Sequence, residues 1–102
     1  MIHFSAEAEA QLASLQDYFE ERLWLQALEK LADAVDEAER FILNEPAKGL
    51  PAPRPYPWLT QADVAWIKVH RYWFAYRAQP PLVLALFDET ADIPGRYPRT
   101  PD

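Results

Sequence analysis

The chain contains no cysteine, only one methionine and only two glycines among its 102 residues. Without cysteine it can form neither a disulfide framework nor a thiolate metal site, which is consistent with a reducing compartment. The longest uninterrupted apolar run, Leu82–Phe87, is far shorter than the roughly 20 residues needed to span a bilayer. No basic stretch followed by an apolar one opens the chain, so no signal peptide is expected. We therefore expect a cytoplasmic protein with no membrane partner.

Charge is distributed unevenly along the chain. Residues 1–45 carry eleven acids and three bases, a balance of −8, whereas residues 46–102 carry seven bases and five acids, a balance of +2. The total of −6 argues against indiscriminate binding to nucleic acid. The acids are scattered over helical segments, with no histidine at ligand spacing, so we expect neither a metal site nor a cofactor. Half of the residues are hydrophobic, which predicts one folded domain over 1–102.

Two amphipathic helices are predicted in the acidic half. Ser5 can cap a helix N-terminus, and Leu12, Leu15 and Phe19 follow it at helical spacing. A second stripe with this spacing runs through Leu28, Leu31, Val35, Ala38 and Ile42. Neither glycine nor proline marks the junction, so the break is placed only within residues 20–26, and one bent helix remains an alternative. The two helices would pack as a hairpin.

A proline-rich stretch and three strands are predicted to follow. Pro46 ends the second helix, and residues 46–58 are expected to form an irregular loop. Alternation in the first strand puts Ala65 and Ile67 on one face and Trp66, Lys68 and His70 on the other.

The next two strands show different patterns. In the second, Phe74 and Tyr76 oppose Trp73 and Arg77. Leu82–Phe87 is aliphatic on both faces, which favours a central strand. The predicted fold is α+β: a short N-terminal strand, a helical hairpin and a three-stranded antiparallel sheet, in the order β-α-α-β-β-β, with an irregular tail over 88–102.

This ordered set of segments resembles the RelE/ParE superfamily of toxins from type II toxin–antitoxin systems, and its ParE-like, plasmid-stabilisation branch in particular. The matching pieces are FSAEAEAQL, LEKLADAVDEAERFILNEPAKGL, YWFAYRA and LVLALFDETADIP. The second piece contains an L-x-x-P-x-x-G motif formed by Leu43, Pro46 and Gly49. The resemblance implies a small toxin that an antitoxin neutralises and that acts on DNA gyrase, if ParE-like, or on ribosome-bound mRNA, if RelE-like.

The basic residues distinguish these two branches. By resemblance, RelE-like nucleases place lysines on the first strand after the helices and an arginine on the next, where cations stabilise the developing phosphorane charge. Lys68 matches one lysine position, but Trp66 occupies the other and Trp73 occupies the arginine position. Beyond the last strand, Arg96 and Tyr97 are the nearest equivalents of the family's arginine and tyrosine. The substitutions favour the branch without catalytic residues.

We therefore predict no catalytic residue and a surface for a target or an antitoxin. Its predicted members are Trp66, Lys68, His70, Trp73, Arg77 and Arg96. His70 could act as a general acid or base. No serine, cysteine or paired carboxylate lies at a spacing from it that would indicate a catalytic site, so an ordinary strand-end histidine is favoured. Trp24 and Trp58 are interpreted as packing residues.

The expected function is a ParE-like toxin that inhibits growth by binding a protein such as gyrase. A ribosome-dependent mRNA endonuclease and a non-toxic interaction module that retains the fold are the alternatives. The expected partners are a cognate antitoxin and either gyrase or the ribosome, in a dimer or a toxin–antitoxin hetero-oligomer.

Overall fold

The computed structural model of the chain describes residues 2–96, except for the side chain of Arg96. Its elements in chain order are β1 (His3–Phe4), α1 (Ala6–Glu21), α2 (Leu25–Asn44), β2 (Ala65–Val69), β3 (Tyr72–Ala78), β4 (Pro81–Asp88) and α3 (Ile93–Arg96). The predicted α+β class is confirmed. Within residues 2–96, no helix is long and apolar enough to cross a membrane.

Ser5 starts α1 as predicted and also fixes it to the sheet. The Ser5 hydroxyl oxygen accepts a hydrogen bond of 3.1 Å from the Ala8 N–H, and the hydroxyl donates one of 3.0 Å to the Leu84 carbonyl. Glu7 and Glu9 lie in the first turn, where the helix dipole favours acids. Side-chain capping and tertiary contact are thus combined in one residue.

Three residues separate the two helices, so the alternative of one bent helix is wrong. α1 ends at Glu21 and α2 begins at Leu25, inside the predicted window. Leu23 makes the turn in the left-handed region with φ 55°, a conformation that costs a non-glycine residue about 1 kcal/mol. Trp24 is the N-cap of α2 and provides no side-chain hydrogen bond there.

The sheet has four strands in the order β1-β4-β3-β2. The prediction of a three-stranded antiparallel sheet is therefore incomplete, because β1 joins it in parallel with β4 through the pairs His3–Leu82 and Phe4–Val83. The pairs β2–β3 and β3–β4 are antiparallel. A strand of two residues carries no periodic signal, so its pairing was not predictable from the pattern. The central position of β4 is confirmed.

Both faces of the sheet are covered. The helices α1 and α2 pack on one face, which we call the inner face, over Ile67, Phe74 and Leu86. On the opposite, outer face a second apolar cluster consists of Ala52, Leu59, Trp66, Trp73, Ala75, Ala85, Phe87 and Ile93. This second cluster was not predicted.

The proline-rich segment and the tail are more ordered than predicted. Residues 46–58 are expected to be irregular, but one 3₁₀ turn, Pro46–Lys48, lies within them and a second, Pro57–Leu59, begins at their end. Leu50 pairs with Trp66 at the edge of β2 through two backbone hydrogen bonds of 2.7 Å. In the tail, α3 is helical and its Ile93 is fully buried on the outer face. Residues 97–102 lie outside the described part of the chain.

Candidate binding surfaces

Trp66 and Trp73 are buried, which corrects the expectation of an exposed tryptophan face. Their exposed fractions are 0% and 3%. The Trp66 ring stacks on Phe87 with centroids 6.5 Å apart, and Ala52 and Leu59 belong to the same cluster. The alternation along the strands was interpreted correctly, but the proline-rich segment covers the face that these rings share. Both tryptophans are therefore core residues between the sheet and the proline-rich segment, and they cannot contact a partner directly.

Lys68 is exposed on the outer face, and its charge is balanced by an ion pair with Glu89. Its Nζ lies 2.8 Å from Glu89 Oε2 and 5.9 Å from the centroid of the Trp73 ring. Arg54, from the proline-rich segment, places its Cζ at the same distance of 5.9 Å from that ring. Two cations thus approach one buried tryptophan, an arrangement that favours cation–π attraction. Lys68 forms an ion pair within the chain and is not an isolated cation.

His70 lies in the turn between β2 and β3 and not at the end of a strand. Its φ of 56° is in the left-handed region, and its Nε2 lies 3.5 Å from Glu37 Oε1 on α2. Both side chains are about half exposed. The geometry connects the β2–β3 turn to the helical hairpin, which is a positioning role.

Arg77 is exposed near the end of β3. It lines a shallow depression together with Gly49, Asp63 and Gln79, and no carboxylate of residues 2–96 lies within 4 Å of it. The side chain of Arg96 lies outside the part of the chain that the structure describes, as do Tyr97 and Arg99. Of the six predicted binding residues, Lys68, His70 and Arg77 are therefore open to a partner.

Arg71 and Asp88 close the end of the β3–β4 pair through a bidentate ion pair. Arg71 Nε and Nη2 donate to the two Asp88 carboxylate oxygens at 2.7 and 3.1 Å, and the Thr90 N–H and hydroxyl donate to the same carboxylate. Burial alone would raise the pKa of Asp88, but the hydrogen bonds from Arg71 and Thr90 outweigh it and lower that pKa. The lowered pKa keeps Asp88 ionised at neutral pH.

A cleft of about 490 Å³ lies between α1 and the end of β4. Its lining includes Ser14, Tyr18, Phe19, Trp24, Leu86 and Thr90. At its base the Leu86 N–H donates a hydrogen bond of 2.7 Å to Gln11 Oε1. β1 pairs with β4 only at Leu82 and Val83. Further along β4, the Gln11 side chain therefore accepts the hydrogen bond that a neighbouring strand would otherwise accept. The volume falls within the range of ligand-binding clefts, about 300–1,000 Å³.

Four large apolar side chains are exposed where the helical hairpin turns. These residues, which we call the hairpin end, are Tyr18, Leu23, Trp24 and Leu25, with exposed fractions of 44%, 79%, 49% and 67%. Trp24 lies edge-on to Tyr18 at 5.7 Å, and the Arg22 guanidinium lies 3.6 Å above the Tyr18 ring.

The interpretation of Trp24 and Trp58 as packing residues is only partly correct. Trp24 contacts Tyr18 and Phe19 but remains half exposed. Trp58 lies edge-on to Tyr56 and is 65% exposed. Sequence reasoning missed the hairpin end, although one signal pointed to it: the helix break contains neither glycine nor a polar turn residue after Arg22.

Comparison with protein-family models finds none that matches this chain, and comparison with curated proteins finds no match either. The resemblance to the RelE/ParE superfamily therefore stays a prediction from the residues.

Proposed function

We propose that this chain is a ParE-like toxin of a type II toxin–antitoxin system, which arrests growth by binding a protein target such as DNA gyrase. The order of the segments, a short strand, a helical hairpin and three further strands, is the one that the resemblance implies. The L-x-x-P-x-x-G motif lies where α2 ends and the proline-rich segment begins. A cognate antitoxin is the proposed neutralising partner.

The observation that carries the choice of protein binding over RNA cleavage is the environment of Lys68. Metal-free cleavage of RNA needs several cations arranged around one phosphate, where they stabilise the charge of the transition state. Lys68 forms a 2.8 Å ion pair with Glu89, and its neighbours on the outer face, Trp66 and Trp73, are buried. This arrangement supports a binding surface better than it supports a nuclease site.

The exposed cations near the outer face are the proposed contacts with the target. Arg54, Lys68 and Arg77 are exposed on a chain whose net charge is −6. Arginine is enriched in protein interfaces because its planar fork both stacks and donates several hydrogen bonds. Arg77 has no ion-pair partner among residues 2–96, so its guanidinium is available without breaking an internal contact.

Inducible expression in bacteria tests the toxin function. We expect growth arrest that is relieved by co-expression of a small protein encoded by the adjacent gene. Arg77→Ala should weaken the arrest. Arg40→Ala is the matched control and should not, because Arg40 is exposed on α2 and forms no ion pair within residues 2–96. Unimpaired growth at a verified level of folded protein would contradict the proposal and favour a non-toxic interaction module.

A supercoiling assay tests the proposed target. Purified protein should inhibit the supercoiling of relaxed plasmid by gyrase, and Arg77→Ala should require a higher concentration for the same inhibition. If growth stops while supercoiling by gyrase is unaffected, gyrase is excluded as the target.

A further inference from the structure

Three consecutive residues at the junction of α1 and α2, the last of them the first residue of α2, depart from the residue types that their backbone positions favour. Leu23 has φ 55°, a conformation that glycine or asparagine adopts more readily. Trp24 is at the N-cap of α2, where serine, threonine, aspartate or asparagine would bond to a free N–H, and it makes no such bond. Leu25 opens α2, whose first turn contains no acidic residue, although the helix dipole favours one there.

The same three residues are the most exposed part of the hairpin end. Polar residues or glycine at these positions would improve the local structure and remove apolar surface from water, yet the chain has leucine, tryptophan and leucine. Positions where local preferences fail together are typical of functional surfaces. Exposed apolar side chains in one contiguous group mark an interaction site. Within residues 2–96, the outward sides of these side chains stay exposed.

We propose that the hairpin end binds the hairpin end of a second copy of this chain, in a twofold symmetric dimer. A twofold axis places each surface against itself, so the surface must be complementary to itself. The apolar centre meets this condition. Charges of both signs surround it: Glu20 and Glu21 precede the turn, and Lys30 lines the depression next to Leu23 and Leu25. Across the axis, Lys30 of one copy can approach the acids of the other.

The charge pattern favours a second copy over a partner of one charge sign. A strongly acidic partner would meet Glu20 and Glu21, and a strongly basic one would meet Arg22 and Lys30. The four apolar residues expose on the order of 500 Å² per copy, so through them two copies would bury at most about 1,000 Å², the lower limit for a specific interface. A weak dimer with a micromolar dissociation constant is therefore expected.

Sedimentation of the full chain over a range of about 1–200 µM tests the dimer. The average mass should rise from 11.8 kDa towards twice that value. Leu23→Gly removes the most exposed side chain at a backbone position that glycine favours, so the variant should fold and its dissociation constant should rise at least tenfold. Leu25→Glu adds the missing acid to the first turn of α2 and should also abolish dimerisation without unfolding the chain.

Two variants control for general loss of exposed apolar surface. Leu43→Gln and Trp58→Ala remove the large exposed apolar side chains of residues 2–96 that lie outside the hairpin end, and both should dimerise like the original chain. A single mass of 11.8 kDa at every concentration would overturn the proposal, as would dimerisation that Leu23→Gly and Leu25→Glu leave unchanged. The measurement requires no toxic activity, so its failure is distinguishable from failure of the proposed function.

Discussion

The Tyr76 hydroxyl donates a hydrogen bond of 2.6 Å to the backbone carbonyl of Pro46. Tyr76 is fully buried on β3, and Pro46 is the residue where the proline-rich segment leaves the end of α2. Gly49 follows, and a Cβ added at that position would overlap the Tyr76 hydroxyl. This contact fixes where the segment starts, and the segment then runs to Leu50, which pairs with the edge of β2. The position of the proline-rich segment over the outer face therefore depends on the hydrogen bond between Tyr76 and Pro46.

Removal of the Tyr76 hydroxyl should destabilise the fold. Tyr76→Phe leaves the Pro46 carbonyl without its donor in a partly buried position, and the free energy of unfolding should fall by about 1–2 kcal/mol. Urea denaturation measures the change. Tyr56→Phe is the control, because no hydrogen bond from its hydroxyl is present in the described structure, and it should be nearly neutral. Equal stability of the two variants would show that the contact does not hold the segment.

The buried tryptophans should behave as core residues. Trp66→Ala and Trp73→Ala should each lower the free energy of unfolding by about 3–5 kcal/mol, because each leaves a cavity on the outer face. Trp58→Ala, at an exposed ring, should change it by no more than about 1 kcal/mol. If Trp73→Ala left the free energy of unfolding nearly unchanged but abolished partner binding, Trp73 would be a contact residue, as the sequence predicted.

The ion pair between Arg71 and Asp88 should make stability depend on pH in the acid range. Because the pKa of Asp88 is lowered in the folded state, its ionised form stabilises the fold above the usual carboxyl pKa of about 3.9, and the contribution is lost as the pH falls through the lowered value. Asp88→Asn should cost about 1 kcal/mol at pH 7, a modest value because Arg71 is half exposed. Urea denaturation of both proteins at pH 7 and at successively lower pH measures this difference in the free energy of unfolding.

The difference between Asp88→Asn and the original chain should vanish once the carboxyl is protonated. Glu29→Gln, which alters an exposed acid of α2 that forms no ion pair in residues 2–96, should show no such pH dependence. A difference that persists unchanged as the pH falls through the lowered pKa of Asp88 would assign the effect to packing and not to the charge of Asp88.

Leu23→Gly should stabilise the isolated chain. Relief of the left-handed backbone contributes up to about 1 kcal/mol, partly offset by the greater freedom of glycine in the unfolded state. Asp63→Gly is a matched comparison, because Asp63 has φ 62° but aspartate tolerates this region better, and its gain should be smaller. Thermal unfolding at low protein concentration separates this effect from self-association. A loss of stability in Leu23→Gly would show that the Leu23 side chain supports the fold itself.

Local patterns predicted the helices and the sheet faces well. Ser5 caps α1 as predicted, and the alternation from Ala65 to Val69 assigns Ile67 to the inner face and Trp66 to the outer one. The aliphatic run in β4 correctly indicated a central strand. These features depend on neighbours within a few residues, which is the range over which spacing carries information.

Features set by long-range contacts were not predictable in this way. Alternation shows that Trp66 and Trp73 share a face, but it cannot show that residues 50–59 fold back over that face. The pairing of β1 with β4 joins residues 79 positions apart and depends on two residues only. The hairpin end was missed because an apolar turn gives no positive signal, only the absence of the residues that turns usually contain.

The central proposal is that this chain arrests growth by binding a protein and not by cutting RNA. The most direct test is whether cellular transcripts stay intact after expression of the chain is induced. Mapping of 5′ ends by primer extension, at the time when growth stops, should find intact transcripts in cells that express the chain. Lys68→Ala should give the same transcript pattern. New 5′ ends within coding sequences that appear on induction and disappear in Lys68→Ala or Arg77→Ala would contradict the account and identify a ribosome-dependent endonuclease.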